Sequence, residues 1–128
     1  MFDRLELQVL PPGPRFTAEV RFRVNGEDLL ADAIGPDGFG PFAANAFPVD
    51  RPGPLRGTAE GRRVELGEPE CGGGCCGFLA AVVQRVGPVV QWVDWEVPAD
   101  GTQPVEFHFD AAEYDAELAR AEAEYRAR

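Results

Sequence analysis

Gly77-Phe78-Leu79-Ala80-Ala81-Val82-Val83-Gln84-Arg85-Val86 is the stretch on which the fold turns. As a helix it would follow a glycine-rich loop into a parallel crossover; as a strand it joins an antiparallel sheet. Its short length and paired valines favour the strand, because β-branched side chains fit a pleated surface. The preceding Gly72-x-Gly74-x-x-Gly77 matches a dinucleotide-binding fingerprint, and Asp94 or Glu96 lies about twenty residues further on. That fingerprint needs a strand running straight into the glycines and a full helix after them, yet Pro69 interrupts the approach. A strand at 78–86 excludes it.

Working outward, Val89 to Val97 reads as the next strand, and Val105, Phe107 and Phe109 alternate with Glu106, His108 and Asp110 to give a last one with a polar face. Asp110 is then an N-cap with Glu113 three residues on, a capping box that starts a helix over 110–126. Tyr114, Leu118, Ala121 and Tyr125 make its apolar side, and Glu122 with Arg126 and Glu124 with Arg128 are favourable i,i+4 pairs. Upstream, Arg62 to Glu68 reads as a short strand. Earlier still, Leu5, Leu7 and Val9 form one alternating series and Phe16, Ala18, Val20, Phe22 and Val24 another, separated by Pro11-Pro12-Gly13-Pro14. Asn25-Gly26 is a hairpin signal, because both residues tolerate positive φ. The returning piece, Glu27 to Ile34, is a strand or a helical turn, and the strand is favoured. Ten of the twenty-three residues from Gly35 to Gly57 are Gly or Pro, so this is a long loop. Its Phe39, Phe42 and Phe47 either fold back as a lid on the sheet or serve to cover a pocket or bind a partner. The expectation is one α+β domain over residues 1–128, a mainly antiparallel sheet with the C-terminal helix packed on it.

Absences narrow the chemistry. The 128 residues include no serine, no lysine and one histidine, His108. This removes serine nucleophiles, Walker-type phosphate loops, Schiff-base lysines and two-histidine zinc motifs. A net charge of −10 argues against nucleic acid; a basic partner or plain solubility fits it better. Met1 to Leu10 lacks the cationic start and apolar run of a signal peptide, and no run of eighteen apolar residues occurs. With an odd cysteine count, the expectation from these features is a chain of the reducing cytoplasm, with no membrane partner.

All three cysteines fall within Glu70-Cys71-Gly72-Gly73-Gly74-Cys75-Cys76-Gly77. Cys71, Cys75 and Cys76 with His108 make a candidate Cys₃His zinc set. A Cys71–Cys76 or Cys71–Cys75 disulfide would close a loop of about six residues and add only about 2 kcal/mol. The plain alternative is a cysteine packed as a small hydrophobe beside a tight glycine turn. His108 as base for a cysteine nucleophile is the sharpest enzymatic arrangement, and Asp94 with Glu96 a possible acid/base pair. Trp92 and Trp95 are expected on opposite faces of their strand, one in the core and one at the surface. Trp92, Asp94 and Glu96 make the candidate partner surface.

From about Leu66 to Tyr125 the chain resembles a family of small uncharacterised proteins from high-GC bacteria. Its members carry Cys-x-Cys-Gly-x-x-Gly-Cys, then Val-x-Trp-x-x-aromatic-x-x-Pro, then Phe-x-Phe-Asp-x-x-x-Tyr. Cys71-Gly72 and Cys76 fall on the first block, Val90 to Pro98 on the second, and Phe107 to Asp110 with Tyr114 on the third. Pro69 stands where the family has its first cysteine, and Cys75 where it has its second glycine. The resemblance implies a fold and no activity. The functional expectation is therefore a small acidic, cytoplasmic, non-enzymatic protein-binding module, immunity- or inhibitor-like, that needs no cofactor. A thiol- or zinc-dependent protein using the cysteine loop is the alternative, and a small cysteine-dependent enzyme the third.

Overall fold

The computed structural model describes residues 1–14 and 17–127. Phe16, assigned above to a strand, and Arg128, assigned to an ion pair, lie outside the described residues. Along the chain come β1 (Leu5–Leu10), β2 (Glu19–Val24), β3 (Glu27–Asp28), α1 (Leu29–Ile34), α2 (Ala43–Ala46), β4 (Arg62–Gly67), α3 (Gly73–Cys76), β5 (Leu79–Val86), β6 (Val89–Glu96), β7 (Phe107–Asp110) and α4 (Ala111–Arg126). The fold is α+β: antiparallel strands with the C-terminal helix packed on them. The strands divide into two sheets, ordered β1-β2-β3 and β4-β5-β6-β7.

The decisive stretch is a strand. β5 runs antiparallel between β4 and β6, with Val64 opposite Ala81 and Val83 opposite Trp92. The helix before it, α3, is a single turn, so the glycine fingerprint has no crossover to open. Alternation places Leu79, Ala81 and Val83 on the same interior as Leu7, Val20, Phe22 and Val24 of the other sheet. Trp92, with no exposed surface, lies at the centre of this interior. It meets Phe22 from the facing sheet at 5.6 Å and Phe109 of β7 at 5.2 Å, both edge-on, the geometry that aromatic quadrupoles favour. Its indole N–H donates to the Tyr114 hydroxyl of α4 at 3.2 Å, and that hydroxyl donates to the Leu55 carbonyl. Burial pushes the Tyr114 phenol above its ordinary pKa, while the Trp92 bond pulls the other way. Sheet, helix and long loop are thus tied at one buried point.

The return after Asn25-Gly26 is a strand for only two residues. Asp28 then caps α1, its carboxylate accepting from the N–H groups of Leu30 and Ala31 at 3.1 Å. Leu29, Leu30 and Ala33 are buried on one side of that helix, which corrects the strand expected over Glu27 to Ile34.

The long loop does fold back. Phe39 exchanges two backbone hydrogen bonds with Glu68, at 2.8 and 2.9 Å, beyond the end of β4. The chain then crosses to β2, where Val20 N–H donates to Pro41 O at 2.9 Å and Ala43 N–H to Ala18 O at 2.8 Å. Arg21, its side chain 13 % exposed, braces this crossing by donating to Gly38 O at 2.9 Å while paired with Asp28 at 3.3 Å. At the opposite side Asp3 joins β7: its N–H donates to His108 O and its carboxylate accepts from His108 N–H, both at 2.8 Å. Two short stitches therefore link the two sheets around a shared core.

α4 closes the outer edge of β1 with side chains. The Glu117 carboxylate accepts from Leu7 N–H and Arg120 donates to Leu7 O, both at 2.7 Å, while Arg120 and Glu117 pair with each other at 2.7 Å. Both backbone groups of an edge residue are satisfied without another strand. Burial, the largest single influence on Glu117, raises its pKa. The Arg120 hydrogen bond, the Leu7 N–H and the Arg120 charge together outweigh it and hold the carboxyl below its ordinary 4.5. A lowered folded pKa contributes stability above the unfolded value, and that contribution is lost as pH falls through the lowered one. Glu117→Gln should cost about 1–2 kcal/mol at neutral pH, as loss of a charge-assisted bond. The mutant should also lose less stability than the parent between about pH 5 and pH 3. Urea unfolding of both proteins at the two pH values checks this.

Candidate functional site

Two features of the surface are candidates for a site. The first is the cysteine loop. Pro69 O accepts from Gly72 N–H at 2.8 Å, and Gly72 O accepts from Cys75 and Cys76 N–H at 3.1 and 3.2 Å. The Glu68 carboxylate receives Gly73 N–H at 3.0 Å, and Cys76 O receives Ala99 N–H at 2.9 Å. The turn demands glycine at two kinds of position. Gly72 and Gly77 have φ of 96° and 95°, and a Cβ on Gly73 would sit 2.2 Å from the Phe78 ring. Held this way, the sulfurs of Cys71, Cys75 and Cys76 all lie within 4.8 Å of one another. Cys71 and Cys76 are joined as a disulfide and Cys75 is a free thiol. Cys71 and Cys75 are exposed and Cys76 is half-buried, so no cysteine serves as a small core hydrophobe.

His108 does not belong to this group. Among the described residues the three sulfurs form the only cluster of three or more potential metal ligands. His108 is an exposed residue of β7 opposite Gln91, which pairs with Gln84 of β5. The cysteine loop enters β5 at its other end, five residues or about 17 Å of strand away. Neither the Cys₃His set nor a cysteine–histidine nucleophile pair is assembled.

The tryptophan strand also departs from expectation. Val82 faces Val93, but Ala80 faces Glu96, so β6 holds one extra residue, and Asp94 takes a φ of 54°. This bulge reverses the alternation and brings Trp95 onto the side of Trp92, their rings 6.4 Å apart. Trp95 is half-buried, and its N–H donates to Val105 O at 3.0 Å. Trp92 is wholly interior, which removes it from the partner surface proposed with Asp94 and Glu96. Asp94 is engaged too: its carboxylate and its carbonyl both receive the Arg63 guanidinium at 2.9 Å. Glu96 alone of the three is exposed without a role in the bulge.

The second feature is a groove of about 520 Å³ beside β4. After its pairing with Glu68, the chain from Phe39 diverges from β4 toward β2, and the wedge between them stays open. Its walls are Phe39, Pro41 and Phe42 on the loop and Arg63, Glu65 and Glu68 along the strand, with Leu55 and Phe78 also lining it. β4 ends its sheet, and among the described residues its outer side has a backbone partner only at Glu68. Phe42 is 48 % exposed. The Arg63 charge is matched by Asp94, which leaves Glu65 and Glu68 to set the sign of the groove. The phenylalanines of the Gly/Pro-rich loop were the one sequence signal for this site; the open edge beside them carried none.

Comparison with known protein families, with curated proteins and with solved structures returns no match for this chain. Among the described residues no helix is long and apolar enough to cross a membrane.

Proposed function

We propose that the protein is a non-enzymatic binding module whose groove along β4 receives an extended, basic segment of a partner protein. The observation that carries this reading is the unpaired outer side of β4 facing an apolar wall. Edge strands expose a row of donors and acceptors, and an added strand satisfies them while alternate side chains enter the groove. Phe39, Pro41 and Phe42 supply apolar contact for one set of those side chains. Glu65, Glu68 and the chain's net charge of −10 favour Lys or Arg on the others and speed encounter with a cationic partner.

Selection from a random peptide library displayed on phage tests the proposal. Extended sequences alternating apolar residues with Lys or Arg should be enriched, and their affinity should fall with added salt. Phe42→Ala should weaken the selected peptides about tenfold or more, the mark of a central apolar anchor, with the fold intact because the side chain is half exposed. Enrichment of neutral or acidic sequences, no enrichment, or binding indifferent to Phe42→Ala would each refute the groove as the binding face.

A further inference from the structure

We propose that the Cys71, Cys75 and Cys76 loop, with its disulfide reduced, binds one thiophilic d¹⁰ cation of the Zn²⁺ or Cu⁺ class. This site is separate from the groove, and neither proposal rests on the other. Three thiolates around such a metal, at about 2.3 Å from it, lie about 3.8–4 Å from one another; in the oxidised loop the Cys75 sulfur lies within 4.8 Å of both bonded sulfurs, so once that bond opens small side-chain rotations bring all three to a metal. The backbone that carries them is pinned by five hydrogen bonds, from Gly72, Gly73, Cys75, Cys76 and Gly77 N–H, so the ligands are gathered before any ion arrives.

The donor set chooses the ion. Sulfur-only ligation selects soft cations over the hard, oxygen-seeking Mg²⁺ and Ca²⁺. Exposure of Cys71 and Cys75 leaves a coordination position open to solvent. No Lys or Arg occurs between Arg63 and Arg85, while Glu65, Glu68 and Glu70 do, so the local charge attracts a cation. From Glu70 to Gly77 only Gly73 is buried, so exposed Cys71 and Cys75 and half-buried Cys76 are not needed to hold the core.

Oxidation state gates the site. Opening the Cys71–Cys76 bond takes two electrons and two protons, both delivered by an external dithiol that itself becomes a disulfide. Each thiol that then binds the cation releases its proton to water. In the oxidised form only Cys75 remains as a ligand, which is too few.

The full chain, reduced with a phosphine and stripped of metal, is titrated with Cd²⁺ as a spectroscopic probe. Zn²⁺ and Cu⁺ are then titrated separately against a chromophoric chelator, to tell the two cations apart. One equivalent should bind with sulfur-to-cadmium charge-transfer absorption. Cys75→Ser should weaken binding by more than about 100-fold, beyond the loss expected of an outer-sphere partner. Protein with the Cys71–Cys76 disulfide intact should show no charge-transfer band. Absence of saturable absorption, unchanged affinity in Cys75→Ser, or equal binding by the oxidised form would overturn the proposal. Cys75 is exposed, so this variant is expected to fold, and far-ultraviolet dichroism verifies it.

Discussion

Trp92→Ala is expected to destabilise the protein by about 3–5 kcal/mol, the range for truncating a fully buried large aromatic. The indole has no exposed surface and touches Phe22, Trp95, Phe109 and Tyr114, which come from both sheets and from α4. No neighbouring element can settle into the space without leaving another. Total stabilities of such domains are about 5–15 kcal/mol, so the variant should sit near its unfolding limit at room temperature. Trp92→Phe separates volume from hydrogen bonding. It keeps an aromatic ring, removes a donor whose acceptor, Tyr114, is still bonded to Leu55, and should cost about 1–3 kcal/mol. Urea unfolding measures both. A loss below about 1 kcal/mol in Trp92→Ala would mean that this side chain is not the centre of a shared core.

Gly40→Ala should be nearly as damaging, at about 3 kcal/mol, from overpacking and from hydrogen bonds broken as the chain moves. A Cβ at this position would lie 1.8 Å from the Val20 carbonyl oxygen and 2.9 Å from its carbon. Both are backbone atoms of a paired strand, so β2 cannot give way and the loop must lift. Lifting strains the Pro41 bond to Val20 and the 2.7 Å bond from Gly40 N–H to the Glu19 carboxylate. The same displacement widens the groove, so peptide capture should weaken along with stability. Gly13→Ala is the matching control, since its Cβ would meet nothing within 4 Å, and its effect should stay within about 0.5 kcal/mol.

How far these elements were legible in the sequence follows from where physical periodicity operates. Leu7 and Val9, Val20 to Val24, Ala81 and Val83, and Phe107 and Phe109 announce their shared interior through alternation alone. Asp110 announces α4 through a cap whose carboxylate does receive Glu113 N–H, at 3.0 Å. α1 is one of the two readings that the sequence leaves open: Asp28 before Leu29-Leu30-Ala31 is a cap followed by helix formers, but the Asn25-Gly26 hairpin tips the choice toward a continuing strand. The bulge at Asp94 has no periodic signature, because alternation presumes an unbroken ladder; the three-residue spacing of Trp92 and Trp95 becomes one face only after an extra residue is inserted. The cysteine cluster was legible as a composition and not as a geometry. Glycine spacing shows that the turn is tight, while which sulfurs meet, and that His108 stays away, depends on which end of β5 the loop joins. The groove depends on pairings across about thirty residues of loop, where glycine and proline erase any period.

The outer side of β4 is where the functional account stands or falls, and amide hydrogen exchange resolved by residue reads it directly. In the free protein, the outward amides of β4 from Arg62 to Glu65, ahead of the bulge at Leu66, should exchange freely while those of β5 and β6 are protected. A selected basic peptide should slow those same β4 amides and the loop from Phe39 to Ala43. Outward β4 amides already protected in the free protein, or slowed exchange confined to β7 and α4 when the peptide binds, would contradict it.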